Sequence, residues 1–388
     1  MEESYSLGRL VHDFVVEMEY DRDDHLQSSL IDMYTKCGDL AGARNVFDQV
    51  EQSVVTWNAM IAGCANQGWT EEALRLFGLM QREKILPDTV TLTSVLRACA
   101  GLNFGDDGRI FHAFIVETLS VLPTMLGNTL LDMYAKCGNV SDAQKIFQGL
   151  RKDDAVTWTA MIGAHVSSRN GNQALRVFQR MREEGVKSNE ITYANALKAC
   201  CIIASLENGK LIHADAASTS LEIDGLLGCA LVDMYSKCGS IDDAANVFAK
   251  LSKRSVVTWT SMFAGFAMNG HYGLAWKCLQ DMQIEGFRPD NVTMVSLLSV
   301  CSQLGSTKEG YTHFKSAFEG HSAPPWVEHY TCLLDLLVQA GCPIEARSLL
   351  ETMPLQSDSV GWVSFLHNCQ QYGHAKLPRK FFNNVTSS

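Results

Sequence analysis

Apolar residues return at i, i+3, i+4 and i+7 along most of the chain, in short stretches separated by polar turns that hold a glycine. That spacing predicts amphipathic helices, and turns such as Cys37-Gly38-Asp39 and Asn66-Gln67-Gly68 predict that they pair as hairpins. The pattern itself repeats. SLIDMYTKCGDLAGARNVFDQV from Ser29 returns as TLLDMYAKCGNVSDAQKIFQGL from Thr129, as ALVDMYSKCGSIDDAANVFAKL from Ala230, and in diverged form as CLLDLLVQAGCPIEARSLLETM from Cys332. Each of the first three is followed by a second kind of unit, opening VVTWNAMI at Val54, AVTWTAMI at Ala155 and VVTWTSMF at Val256. A third kind then opens TVTLTSVL at Thr89, EITYANAL at Glu190 and NVTMVSLL at Asn291, giving units of 31, 35 and 35 residues and a super-period of 101.

A lone helical hairpin cannot bury both of its apolar faces, whereas stacked hairpins can, so the expected fold is an all-α, right-handed α-solenoid of tandem helix-turn-helix repeats. Ala43, Ala143, Ala244 and Ala346 permit close helix approach, and Phe47, Phe147 and Phe248 fill the space one turn later. Trp57, Trp158 and Trp259 recur beside Met60, Met161 and Met262. They could stack on the bases of a single strand, but their fixed place beside apolar residues favours core packing. Pro87 and Pro289, each before Asp, are expected to stop the second helix of their units through their missing N–H.

Composition narrows the function. The 388 residues are 46% hydrophobic and 19% charged, and 32 Lys and Arg against 43 Asp and Glu leave a formal charge of −11. An acidic total disfavours charge-driven binding to duplex nucleic acid, so any nucleic-acid role must rest on local placement. First helices carry Lys36, Arg97, Lys136, Arg169, Lys198 and Lys237 against Asp32, Asp132 and Asp233, while Glu71, Glu72, Glu183 and Glu184 fall on second helices. A face lined by first helices would therefore be less negative than the outside. Asp32 with Lys36, Asp132 with Lys136 and Asp233 with Lys237 stand in the i, i+4 order that supports an exposed helix.

Among the thirteen cysteines, Cys37, Cys137 and Cys238 are 100 and 101 residues apart, and Cys99, Cys200 and Cys301 are 101 apart. They mark equivalent places in repeats, no Cys-x-x-Cys occurs, and reduced thiols packed as small hydrophobes are expected, with no metal site and no cofactor. His12, His112 and His213 recur at the same period and read as structural positions. The chain has no P-loop, G-x-S-x-G or G-x-G-x-x-G, and no His precedes Glu by two as in the zinc deaminases, so no catalysis in cis is expected. No apolar run has the roughly 20 residues of a membrane span, and Met1-Glu2-Glu3-Ser4 lacks the character of a secretion signal or presequence.

Repeats of 31 and 35 residues carrying DMYxKCG, VVTWNAMI and a terminal Pro-Asp resemble the pentatricopeptide repeats of the plant PLS subfamily, over nearly the whole chain. In that family's terms the units are a partial long repeat (1–23), short (24–53), P (54–88), long (89–123), short (124–154), P (155–189), long (190–224), short (225–255), P (256–290), long (291–326) and short (327–358). Residues 359–388 resemble the start of an E region. Tetratricopeptide repeats have a similar period, but their W-x-x-L-G-x-x-Y pattern is absent. The partial first unit and the stop inside the E-like segment read as a truncated chain, without the deaminase domain with which related chains often end.

The resemblance implies sequence-specific binding of single-stranded RNA, one nucleotide per unit, with no DNA or membrane partner. It also implies a mitochondrial or chloroplast location and a role in organelle C-to-U editing, with the deaminase or other editing factors supplied in trans. A protein-binding scaffold or a non-functional fragment is the alternative. The family reads bases with the fifth and last residues of each unit. Carried over, Asn58 with Asp88 and Asn128 with Asp154 prefer U, Thr159 with Asn189 prefers A, and Thr260 with Asp290 prefers G. Thr331 with Asp358 matches the G-preferring pair in a diverged unit. Ser28 with Ser53 and Cys229 with Ser255 have no assigned base, and the long units place Thr93, Ala194 and Val295 at the fifth position. The target reads 5′-NUNUANNGN-3′, then G if the last unit reads. Arg97 and Lys198 are the candidate phosphate contacts. Taken singly, the same pairs are ordinary cap and turn residues; their recurrence at matching places favours base reading.

Overall fold

The computed structural model describes residues 24–304 apart from 51, 102–104, 120, 220 and 222, together with isolated positions on either side. Ala346, Thr331, Asp358 and the E-like segment lie outside the described residues. Every regular element described is helical, and the chain divides into two compact units, one ending at Ile203 and one beginning at Ala204.

The first unit holds α1 (Asp24–Lys36), α2 (Leu40–Gln49), α3 (Val54–Asn66), α4 (Thr70–Arg82), α5 (Thr89–Gly101), α6 (Gly105–Thr118), α7 (Thr124–Lys136), α8 (Val140–Gly149), α9 (Ala155–Ser167), α10 (Gly171–Glu183) and α11 (Glu190–Ile203). The second holds α12 (Leu206–Ser218), α13 (Gly225–Lys237), α14 (Ile241–Lys250), α15 (Val256–Met268), α16 (Tyr272–Ile284) and α17 (Asn291–Leu304). First helices pack against first helices, α1 on α3, α3 on α5, α5 on α7, α7 on α9 and α9 on α11 in one unit, and α13 on α15 and α15 on α17 in the other. Within the units first helices also pack on their hairpin partners, as α3 on α4 and α15 on α16. Contacts thus run between sequence neighbours, the organisation of an α-solenoid built from tandem helical hairpins.

Small residues set the spacing. Ala43, Ala143 and Ala244 are fully buried where second helices meet first helices, and Trp57, Trp158 and Trp259 are core residues. Each indole meets a phenyl ring edge-on: Phe47 to Trp57 at 4.7 Å, Phe147 to Trp158 at 5.1 Å and Phe248 to Trp259 at 4.7 Å between centroids. A Cβ on Gly108 would overlap the Met133 sulfur, so glycine lets α6 approach α7 at that point.

A second recurring lock ties the long units to the short units that follow. His12 Nδ1 lies 2.8 Å from the Tyr34 hydroxyl, and His112 to Tyr134 and His213 to Tyr235 are both 2.9 Å. Burial pushes the His112 and His213 imidazoles below their ordinary range and the Tyr134 phenol up to about 12, so the neutral forms make this contact.

Three expectations change. Pro87 and Pro289 do not stop α4 and α16. Those helices end earlier, at a residue in the left-handed region whose successor donates back to the last turn. The residues are Lys84 (φ 61°) with Ile85 N to Met80 O at 3.1 Å, and Gly286 (φ 83°) with Phe287 N to Met282 O at 3.0 Å. Gly185 (φ 75°) ends α10 in the same way where Ser188 stands in place of proline. Arg169 is not on a first helix; it occupies the left-handed position of the turn after α9, where Gly68 and Gly270 stand in the sister units. Cys99, Cys200 and Cys301 are buried and outside any disulfide, but Cys37, Cys137 and Cys238 sit half-buried at the ends of first helices.

Candidate nucleic-acid interface

The last residue of a unit is the N-cap of the next unit's first helix, and the fifth residue of its own first helix lies beside it. Asp88 Oδ1 accepts from Thr91 N at 2.9 Å, Asn189 Oδ1 from Thr192 N at 2.8 Å, and Asp290 Oδ1 from Thr293 N at 2.8 Å. Asp154 Oδ1 accepts from Val156 N at 3.0 Å and Thr157 N at 3.3 Å, and Ser53 and Ser255 cap α3 and α15 through their hydroxyls. Capping is therefore real, and it engages one side-chain oxygen of each carboxylate or amide.

What draws the fifth residue to the cap is a third residue that the sequence reading missed. The third position of each P and long unit is threonine: Thr56, Thr91, Thr157, Thr192, Thr258 and Thr293, all buried. Thr91 Oγ1 donates to Asn58 Oδ1 at 2.5 Å, and Asn58 Nδ2 donates to Asp88 Oδ2 at 2.9 Å. Thr157 Oγ1 donates to Asn128 Oδ1 at 2.9 Å, linking Asn128 to the Asp154 cap. Thr159 and Thr192 hydroxyls lie 2.6 Å apart, and Thr192 donates to Asn189 Oδ1 at 2.9 Å. Thr260 lies 2.6 Å from Thr293 Oγ1 and 3.3 Å from Asp290 Oδ1. Cys229 Sγ makes the equivalent approach to Thr258 Oγ1 at 3.0 Å. The signal was available, since the threonines recur at alternating intervals of 35 and 66 residues.

One turn of helix away from this ladder runs a row of aliphatic side chains at the second position. Val55, Val90, Val156, Ile191, Val257 and Val292 are between 42% and 59% exposed, which a core residue would not be. In the first unit of the fold a cavity of about 630 Å³ gathers two of the pairs, Asn128 with Asp154 and Thr159 with Asn189. Met125, Val156 and Ile191 form apolar walls, and Arg97 and Asp132 stand at its edge. An apolar slot with a few convergent polar atoms suits a flat heteroaromatic ring. Lys198 is an exposed residue of α11. Among the described residues no group of His, Cys, Asp and Glu could hold a metal ion, and no helix is long and apolar enough to cross a membrane.

Comparison with known proteins gives a consistent result. A PPR repeat family model matches residues 52–101, 153–202 and 254–303, and a PPR repeat model matches 28–53, 128–154, 229–256 and 328–356. A pentatricopeptide repeat-containing protein of Arabidopsis thaliana is 34% identical over 360 residues, covering 92% of this chain and 52% of its own length. A second from the same plant, named as mitochondrial, is 32% identical over 407 residues and covers 97% of this chain and 60% of itself. A third, also named as mitochondrial, is 32% identical and covers 95% and 67%. The chain thus spans between half and two-thirds of the length of these relatives. Among solved structures, that of the pentatricopeptide repeat protein PPR10 in complex with an 18-nucleotide psaJ RNA element superposes with a TM-score of 0.69 at 19% identity, covering 93% of this chain and 55% of that one. The structure of PPR10 from maize gives 0.64 at 18% identity, covering 94% and 59%.

Proposed function

The chain belongs to the pentatricopeptide repeat family, and from that premise we propose that it reads single-stranded RNA, one base at each fifth-and-last pair. The observation that carries this reading is the allocation of hydrogen-bonding groups. At Asn58 and Asp88, Thr91 takes one lone pair of the amide oxygen and the cap takes Asp88 Oδ1. Asn58 also donates one amide N–H to Asp88 Oδ2, so its second N–H and the remaining lone pair of Oδ2 are left to face a base. Uracil offers an acceptor carbonyl beside the N3–H donor and complements this pair, whereas cytosine would turn its N3 lone pair on the carboxylate. Asn128 with Asp154 repeats the arrangement.

At Thr159 and Asn189 the proton order differs. Thr192 donates to Asn189, so Thr159 must donate to Thr192, and Thr159 is left as an acceptor beside the two N–H groups of the Asn189 amide. Adenine, with its exocyclic amine donor and N1 acceptor, is the complement. At Thr260 and Asp290 a carboxylate replaces that amide. Guanine brings N1–H and N2–H donors to it, and adenine would bring a lone pair. The exposed second-position aliphatics would hold the rings from either face.

The finer reading is a PLS-type specificity factor that presents an organelle transcript to an RNA-modifying activity such as C-to-U editing. The organisation in units of 31 and 35 residues and the mitochondrial names of two relatives support it. Fluorescence anisotropy with an RNA containing UNUANNG tests base reading. Each swap of the U, U, A or G is expected to weaken binding by about tenfold or more, and changes opposite the long units by less than about twofold. Equal affinity for matched and swapped RNA would sink the reading and leave a protein-binding scaffold in its place.

A further inference from the structure

Three lysines stand on the first helices of the short units, and each is held by an aspartate one turn before it. Lys36 Nζ lies 2.6 Å from Asp32 Oδ2, Lys136 lies 2.8 Å from Asp132, and Lys237 lies 2.8 Å from Asp233. Fold stability does not account for the arrangement. The lysine side chains are 71%, 57% and 44% exposed, and exposed i, i+4 pairs of this kind contribute little.

Position is more telling. Each aspartate follows the fifth residue of its unit by four, so it shares a helix face with Ser28, Asn128 or Cys229, and Asp132 lines the same cavity as Asn128 and Asp154. An RNA whose bases meet the fifth residues must run its phosphates past this face. A lysine there is a point charge ready for phosphate, and a carboxylate at hydrogen-bonding distance competes for it. Two of the three long units reverse the sign at the same ninth position with Arg97 and Lys198, where the residue four earlier is Thr93 or Ala194 instead of an acid; the third has Ser299. Arg97 reaches the edge of the cavity that Asp132 also lines.

We propose that Asp32, Asp132 and Asp233 are specificity-setting residues that hold Lys36, Lys136 and Lys237 away from phosphate, keeping sequence-independent affinity low so that binding depends on the base pairs. The proposal rests on the RNA reading above and assigns the aspartates a role in that same groove. In this account the long-unit cations Arg97 and Lys198 attract phosphate, and the short units' cations are kept in reserve.

The test is a cycle on the full chain, with anisotropy over a salt series on matched and swapped RNA. The variants are D32N/D132N/D233N, K36Q/K136Q/K237Q and the two sets combined, with thermal melts to confirm folding. Releasing three lysines is expected to tighten matched and swapped RNA equally, by about tenfold near physiological salt, and to steepen the salt dependence by about 2, near 0.7 for each phosphate contact. The lysine set alone should shift affinity by less than twofold, yet abolish the gain when combined with the aspartate set. Two results would overturn the proposal while leaving base reading intact. One is a lysine set that weakens the unaltered chain by as large a factor as it weakens the aspartate variant; the other is an aspartate set that tightens binding even when the lysines are absent. Failure of the unaltered chain to bind either RNA would overturn both.

Discussion

Short and P units on one side, and long units on the other, are built on the same hairpin but spend their polar groups differently. A short or P unit closes with Ser, Asp or Asn, and the next unit opens with a buried threonine that, at the pairs from Asn58 onward, reaches the fifth residue beside the cap, as Thr192 does for Thr159 and Asn189. A long unit is followed by Leu126 or Leu227 at that third position, both fully buried, so no hydroxyl is there to organise a pair. Its fifth residues are Thr93, whose Oγ1 donates to Thr89 O in its own helix at 2.7 Å as Thr260 does to Val256 O at 2.8 Å, and the buried, apolar Ala194. Asp224, which closes one long unit, accepts from the backbone and hydroxyl of Ser252. The long unit contributes instead the histidine that meets the tyrosine of the short unit after it. In the proposed reading, a base would be met by three residues drawn from two consecutive units, and the long units would supply the scaffold and the cations Arg97 and Lys198.

Breaking the ladder should cost most. Thr192→Val keeps the volume but removes the hydroxyl that receives from Thr159 and donates to Asn189. We expect about tenfold weaker binding to RNA with A at that step, and a loss of about 1 kcal/mol in folding stability for the lost hydrogen bonds. Unchanged discrimination by anisotropy would show that Thr159 and Asn189 read without it.

Acidification tests the other side of the comparison with a smaller effect. His112 and His213 titrate below the ordinary value in the folded chain because burial disfavours their charged form. Below pH about 6.5 the unfolded chain therefore takes up these protons first, and stability that is complete above that pH declines as pH falls. Asp142 and Asp243, whose hydrogen bonds hold their carboxyls below the usual range, stay ionised in this window. The melting temperature should fall between pH 7.5 and 5.5, and fall less in H112Q/H213Q; an equal fall in both would assign the acid sensitivity elsewhere.

Much of this was legible in the sequence because the repeat copies each signal several times. The helical period, the alanines and the Trp and Phe core need only spacing and burial to be read. The cap residues were legible too, but as an alternative to base reading, whereas Asp88 and Asn189 cap with one oxygen and keep other polar atoms that the proposed reading assigns to a base. Thr91 and its counterparts escaped because a threonine in a first turn is unremarkable until a side chain 33 residues earlier in sequence is seen beside it. Val156 and Ile191 escaped because an aliphatic residue in a helix reads as core, and only the fold leaves it exposed. Proline was credited with ending α4 because its missing N–H is local, while the stop at Lys84 depends on a backbone conformation that a lysine does not advertise.

The central claim is that the last residue of a unit chooses the base through the group its cap leaves over. It is tested most directly by exchanging Asp290 for Asn and measuring affinity for two RNAs that differ only in G or A at that step. Because the amide still caps α17 and turns N–H donors toward the base, D290N should bind the A-containing RNA better than the G-containing one, a reversal of at least tenfold relative to the unaltered chain. A variant that keeps its preference for G, or one that loses both RNAs equally while remaining folded, would contradict the account.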